Sequence, residues 1–327
     1  QIRYFLVIST TIIQFILIVM SSKSVILDAK RTPIGSFLGT LSSFSASDLA
    51  SFVIKDILGN NKIDPAIINE IILGNVLSSG QGQAPARQAA LKGGCLNSIE
   101  ALTINKMCGS GLKSVMLADQ AIRCGDADLI LAGGMESMSN APYLFKNARK
   151  GKKLGHNEII DSMIHDGLWD VYTDQHMGNC AELLVADRNY TRNDLDKFAI
   201  ESYSKALKAI NDKIFDTEIV PIEIVSSKED AILIKKDEEP GKVKFEKIPN
   251  LSPAFEKDGK ITAANASKLN DGASVLLIAS EDKAKELGLN PIAKIISHAS
   301  SAHEPEWFTT APGKAITKVL RKANLSS

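Results

Sequence analysis

From residue 23 onward, short apolar runs alternate with stretches in which apolar residues recur every three or four positions. That is the pattern of strands layered with amphipathic helices. Val25 to Leu27 reads as a buried strand. A helix is predicted over 46–58, with Ser45 or Ser47 as N-cap, Leu49, Phe52, Val53 and Ile57 on one face, and Gly59 at its stop. Ile71-Ile72-Leu73 is the next strand, and Pro85 opens a short helix ended by Gly93-Gly94. Residues 101–107 read as a strand, 109–124 as a helix and 129–132 as a strand stopping at Gly133-Gly134.

Between residues 141 and 265 this alternation lapses: basic residues cluster, and proline and glycine are scattered. The region reads as an inserted subdomain. Its clearest element is a helix from Thr191, where Asp194 three residues on gives a variant capping box. Leu195, Phe198, Ala199, Ser202, Tyr203, Ala206 and Ile210 fall on one face of it. The lysine-rich stretch 228–247 reads as a surface hairpin or loop. Strands are expected again at 274–279 and 293–297, and a helix at 312–322.

The first residue is Gln1, and an apolar stretch from Tyr4 to Met20 is interrupted only by Ser9, Thr10, Thr11 and Gln14. Its length is close to that of a membrane span. Three readings compete: a signal or anchor helix, a mitochondrial presequence, and translated sequence upstream of a start at Met20. Arg3 is its only basic residue, which disfavours the presequence. Met20 is the preferred start because Met20-Ser21-Ser22-Lys23 leads directly into the first strand. Residues 1–22 are then an apolar leader outside the fold, and a membrane anchor at residues 4–20 is the alternative.

Composition narrows the class without changing this layout. The 327 residues allow about two ordinary domains, and 44% hydrophobic with 23% charged residues is a globular balance. Lysine plus arginine equals aspartate plus glutamate at 38 each, so the chain lacks the global positive charge of proteins that hold nucleic acid through its phosphates. Cys95, Cys108, Cys124 and Cys180 form no CxxC pair and no zinc-like spacing with histidine. A reducing compartment with one reactive thiol fits this usage.

Cys108 stands out among the four. It falls at the end of a predicted strand and just before a glycine-flanked helix, in Ile104-Asn105-Lys106-Met107-Cys108-Gly109-Ser110-Gly111. Unpaired amides and the positive end of a helix dipole favour a thiolate there. The small residues that follow leave room for a bulky acyl ester. A buried structural cysteine is the competing reading.

This run resembles the acyl-enzyme signature of the thiolases, and the resemblance extends over nearly the whole chain from Ser24. Arg31-Thr32-Pro33-Ile34-Gly35, Gly133-Gly134-Met135-Glu136-Ser137-Met138-Ser139, Asp174-Gln175-His176-Met177-Gly178 and the run from Thr262 to Ala273 resemble further motifs of the family, in its order and spacing. The resemblance implies two similar βαβαβαββ halves in a five-layer αβαβα fold with an inserted loop domain. Residues 23–140 and 267–288 would form the first half, 141–266 the loop domain, and 289–327 the start of an incomplete second half. A compact loop region with His176-Met177 is most similar to the short-chain biosynthetic branch, acetyl-CoA C-acetyltransferase. That branch condenses two acetyl-CoA molecules reversibly to acetoacetyl-CoA and CoA.

Residue by residue, the resemblance makes Cys108 the nucleophile. It places His176, Met177 and Ser267 beside the pantetheine arm, Leu168, Ala254, Phe255, Ala263 and Phe308 in the pocket lining, and Lys242 and Lys247 toward the CoA phosphates. For both lysines a solvated hairpin face is the competing reading. Tyr203, Ala263, Ala264 and Ala266 resemble a potassium site, against a plain core role for Tyr203. No cofactor is implied beyond the CoA thioester substrate and that ion. The partners implied are acetyl-CoA, CoA and further copies of the chain in a dimer or tetramer, in a cytoplasmic or alternatively mitochondrial setting. The family also uses a histidine in Gly-His-Pro, a second cysteine in Cys-x-Gly and an asparagine in Asn-Glu-Ala-Phe. None of His156, His165, His176, His298 and His303 lies in the first context, and Cys95, Cys124 and Cys180 do not lie in the second. The chain as written is therefore expected to be inactive in condensation. Two other readings are a non-catalytic CoA-binding or membrane-associated protein and, on the same fold, a decarboxylating ketoacyl synthase.

Overall fold

The computed structural model describes residues 23–151, 154–224 and 231–326. The expected leader and membrane anchor lie outside these residues. Among the described residues, no helix is long and apolar enough to cross a membrane.

The main strands are β1 (Ser24–Arg31), β2 (Gly35–Ser36), β3 (Glu70–Gly74), β4 (Glu100–Ile104) and β5 (Leu129–Ser137). Three short ribbons follow in the inserted region: β6 with β7 (Tyr143–Phe145, Ile159–Asp161), β8 with β9 (Trp169–Asp170, Gln175–His176) and β10 with β11 (Ile222–Ile224, Ile232–Ile234). The chain returns to the main sheet as β12 (Asn270–Ser280) and β13 (Ala293–Lys294). The sheet has seven strands in the order β13-β1-β12-β5-β3-β4, with β2 paired to β12. Strands β3, β4 and β5 are parallel, and β12 runs antiparallel between β5 and β1.

Helices cover both faces. α1 (Ala46–Asn60) and α2 (Pro85–Lys92) pack on one face, and α3 (Ser110–Cys124) packs on the other. The first core includes Leu49, Val53 and Ile57 of α1 with Ile71, Leu129 and Leu277 from the strands. The second joins Ala118 and Ile122 of α3 to Ile72, Ile130 and Ile278. Residues one apart along a strand thus serve opposite helix layers, as the two-residue period of a strand requires. Each fully buried aliphatic side chain contributes on the order of 2 kcal/mol to holding the layers together. The remaining α-helices among the described residues are α4 (Met177–Asp187), α5 (Arg192–Asn211), α6 (Glu281–Glu286) and α7 (Ala311–Ala323).

Several sequence expectations differ in detail from the structure. α1 passes through Gly59 and ends at Asn60, with Ser45 as its N-cap in a reciprocal box with Asp48. β5 does not stop at Gly133-Gly134 but continues to Ser137, because Gly133 pairs with Val275 and Gly134 with Ser274. A side chain at Gly133 would run into the Ser274 carbonyl. The glycines there permit a close strand pairing rather than ending the strand. On α5, Ala199 is buried as expected, while Phe198 is exposed. Of the strand expected at 293–297, residues 293–294 are paired, adding an edge to β1 through Val25 and Ile26.

Candidate active site

Cys108 lies in the turn between β4 and α3, two residues before the helix, and it is exposed. It borders a cavity of about 400 Å³ at the carboxyl ends of the strands, where Gly74, Gly134 and Glu136 also face the opening. Ligands of open α/β sheets bind in this position because the strand-end loops converge there. The start of α3 is Gly109, which supplies no side-chain cap. The positive end of the helix dipole is therefore presented beside the sulfur.

The helix comes this close to the sheet because side chains are missing at the joint. A Cβ on Gly74 would sit 2.5 Å from Ser110 Cβ, and one on Gly134 would sit 3.2 Å from the Gly111 Cα. Ser114 is fully buried in the same joint and donates to the Gly133 carbonyl at 2.6 Å. The turn itself is tied at both ends. Met107 has a left-handed φ of 48°, its N–H donates to Asn105 Oδ1 at 2.9 Å, and Ser110 Oγ donates to its carbonyl at 2.6 Å.

The cavity is also lined by polar groups. Buried Asp271 accepts from the Ser139 amide at 3.0 Å and from its hydroxyl at 2.5 Å. Glu136 accepts from Asn75 Nδ2 at 2.7 Å and from the Val76 amide at 2.8 Å. Burial pushes the Glu136 carboxyl above its usual range, and the Val76 and Leu77 amides act against that shift. Glu136 and Asn105 lie inside the motifs of the sequence without an expected role there. Asn75 and Asp271 carried no assigned role either, because what they hold lies far away in the chain.

None of the substrate-binding candidates borders this cavity. A second group forms in the inserted region instead. The His176 ring stacks on Phe255 with centroids 4.9 Å apart and planes at 27°. His176 is the N-cap of α4, its Nδ1 accepting from the Gly178 amide at 3.0 Å, and Met177 is the first residue of that helix. An accepting Nδ1 requires a neutral ring, and burial lowers the His176 pKa in agreement. Phe308 lies in a short helical segment (Pro305–Thr310) that packs against α4. Leu168 closes the single helical turn Met163–Leu168 before β8. Ala254 N donates to Ile261 O at 2.8 Å, while Ala254 and Ser267 are both exposed.

The two lysines differ. Lys242 Nζ donates to Glu238 Oε1 at 2.7 Å and to Ser36 Oγ at 2.8 Å, so its charge is already engaged. Burial works to raise the Glu238 carboxyl, but hydrogen bonds from Lys242, the Ser36 and Thr40 amides and the Thr40 hydroxyl prevail and hold it at about 2. Lys247 is exposed and makes no ion pair among the described residues.

The expected potassium site fits poorly. Lys268 Nζ donates to the Ala263 carbonyl at 2.7 Å, so an ammonium already sits on an oxygen that the ion would need. The amides of Ala264 and Ala266 are turned into the local turn, toward Thr262 Oγ1 and Thr262 O. Tyr203 is half-buried on α5. Lys268 thus competes with an ion for the Ala263 oxygen.

An exposed cysteine at an uncapped helix start, facing a cavity at the strand ends of an α/β sheet, is the arrangement of an enzyme with a nucleophilic thiol. Residues 24–282 match the thiolase N-terminal domain, and the chain belongs to the thiolase family. It is 47% identical over 299 residues to acetyl-CoA acetyltransferase 1 of Arabidopsis thaliana, covering 91% of this chain and 72% of that protein. A probable acetyl-CoA acyltransferase of Staphylococcus epidermidis is 48% identical over 305 residues, covering 93% and 77%. Among solved structures, the acetyl-CoA acetyltransferase of Bacillus anthracis superposes with a TM-score of 0.90 at 38% identity, over 93% of this chain and 77% of that one. The Acat5 thiolase of Ascaris suum in complex with coenzyme A superposes with a TM-score of 0.87 at 42% identity, over 93% and 78%. The expected family and α/β fold are both upheld, and thiolase-type acyl transfer is the activity that these relatives support.

Proposed function

We propose that Cys108 accepts an acetyl group from acetyl-CoA, as the first half of a condensation of two acetyl-CoA molecules to acetoacetyl-CoA and CoA. The observation that carries this reading is the exposed Cys108 thiol at the uncapped start of α3, facing the strand-end cavity. In the first step the Cys108 thiolate attacks the thioester carbonyl carbon. The bond from that carbon to the CoA sulfur breaks, and CoA leaves as a thiolate that takes up a proton. In the second step a base removes an α-proton from another acetyl-CoA, and the carbanion attacks the acetyl-cysteine carbonyl. This forms the new carbon–carbon bond and returns the Cys108 thiolate.

The residues present favour the first step. No histidine stands in a Gly-His-Pro context to serve the second, so the proposed product of these 327 residues is the acetyl-enzyme. Lys247, which makes no ion pair among the described residues, is the cation proposed for the CoA phosphates, since Lys242 is bound to Glu238. Mass spectrometry after incubation with acetyl-CoA tests the reading. One acetyl group on the Cys108 peptide, with one equivalent of free CoA, is expected. Absence of the adduct would overturn the nucleophile assignment, and appearance of acetoacetyl-CoA would overturn the restriction to the first step.

A further inference from the structure

We propose that Glu136 is a positioning residue for Cys108, acting through the loop that leaves β3 and through Asn105. The inference rests on the acyl-transfer reading only for its functional meaning, since the geometry stands by itself. β5 and β3 pair in parallel up to Gly134 and Gly74, so Glu136 projects just beyond the last pair, beside the backbone of Asn75, Val76 and Leu77. Its carboxylate gathers all three residues. Oε1 accepts from Asn75 Nδ2 at 2.7 Å and from Leu77 N at 3.2 Å, and Oε2 accepts from Val76 N at 2.8 Å.

The same loop reaches the nucleophile's turn. Asn75 N donates to the Ile104 carbonyl at 3.0 Å, at the very end of β4. Val76 O accepts from Asn105 Nδ2 at 3.4 Å, and Asn105 Oδ1 accepts from Met107 N at 2.9 Å. Met107 is the left-handed residue directly before Cys108. A non-glycine residue keeps such a backbone only where its surroundings over-determine it. Asn105 supplies that constraint on one side and Ser110 on the other.

The chemistry of the link suits a carboxylate. Two converging amides and a side-chain amide are donors only at those atoms, and a carboxylate is acceptor-only when ionised. Glutamine keeps one accepting oxygen and turns an N–H₂ group toward one of the donors. The defect is therefore specific, and the side-chain volume is nearly unchanged. Glu136 is half-buried at the cavity wall, a setting in which charge-assisted hydrogen bonds to a carboxylate gain strength.

The test uses the four free thiols of the chain as internal standards. Wild type, Glu136→Gln, Asn105→Ala and the double variant are treated with iodoacetamide, and alkylation is read peptide by peptide. Cys124, exposed at the far end of α3, reports reagent and helix, whereas buried Cys95 and Cys180 report loss of fold. Each single variant is expected to slow Cys108 alkylation about tenfold, with Cys124 unchanged and Cys95 and Cys180 still protected. If Glu136 works through Asn105, the double variant also slows about tenfold, whereas independent effects would multiply to about a hundredfold. Alkylation of Cys108 within twofold of wild type in either single variant overturns the proposal, as does multiplication of the two effects. Should Glu136→Gln fail to fold, Glu136→Asp, which keeps the charge but draws the carboxylate back from the loop, takes its place in the same comparison, while Asn105→Ala, exposed and outside both cores, tests the second link. Acetylation by acetyl-CoA is measured beside alkylation. A wild-type Cys108 that alkylates but takes up no acetyl group sinks the functional reading and leaves the positioning test intact.

Discussion

Two helices begin beside residues singled out in the sequence, and they begin in opposite ways. α3 starts at Gly109 with no side-chain cap, just after Cys108, while α4 starts at His176, whose own imidazole accepts the Gly178 amide. The first leaves its positive end facing a cavity, and the second closes that end with a neutral ring stacked on Phe255. A helix start therefore becomes a reactive site or a structural joint according to what sits one or two residues before it. Cys108 is suited to reaction, whereas His176 is held as an acceptor.

The contrast can be broken most severely at the sulfur. Cys108→Ser is expected to abolish uptake of acetyl from acetyl-CoA without altering the melting temperature, as read by mass spectrometry and thermal melting; persistent labelling would mean another nucleophile. The next effect belongs to the closed helix. A methyl at Gly178 would run into the Phe255 ring, so Gly178→Ala should destabilise the protein by about 2 kcal/mol through overpacking. Chemical denaturation measures this, and a Phe255→Leu change in the same chain should recover part of it. His176→Ala removes the cap but leaves the glycine, and an expected loss of about 1 kcal/mol follows.

The smallest expected effect is a pH dependence confined to the closed helix. Burial lowers the folded pKa of His176 from its ordinary 6.5, so on acidification the unfolded chain binds the proton first. Stability from this group is complete above 6.5 and is lost as pH falls through the folded value. Denaturation of wild type between pH 7.5 and 5.5 should show that loss, and His176→Ala should show less of it. Equal slopes in the two proteins would remove the cap from the explanation.

Local signals were legible in the sequence, and distant ones were not. The box of Thr191 with Asp194 forms as read and Ser45, one of two cap candidates, is the N-cap of its helix, because partner and cap are three residues apart. Cys108 was legible for the same reason: the strand, the turn and the helix that present it are contiguous. Gly133-Gly134 read as the end of a strand, whereas its purpose is a contact with Ser274, far away in sequence. His176 was singled out, but its capping role was not, since histidine is outside the usual capping set. Glu136 carried no local pattern at all, because its three donors come from another strand's loop.

The joint beneath Cys108 sets how finely its position is defined. Gly74 and Gly134 let α3 come close onto the strand ends, Gly134 with its backbone against that of Gly111, and such a seat has few rotamers with which to adjust. Side-chain contacts can absorb a small error by turning about χ1, whereas here a misfit has to be taken up by a whole strand or helix. The seat works like a bearing without play. Changes at these two glycines would therefore find little remedy in neighbouring side chains, and a compensating second change would have to shift the helix or re-register a strand.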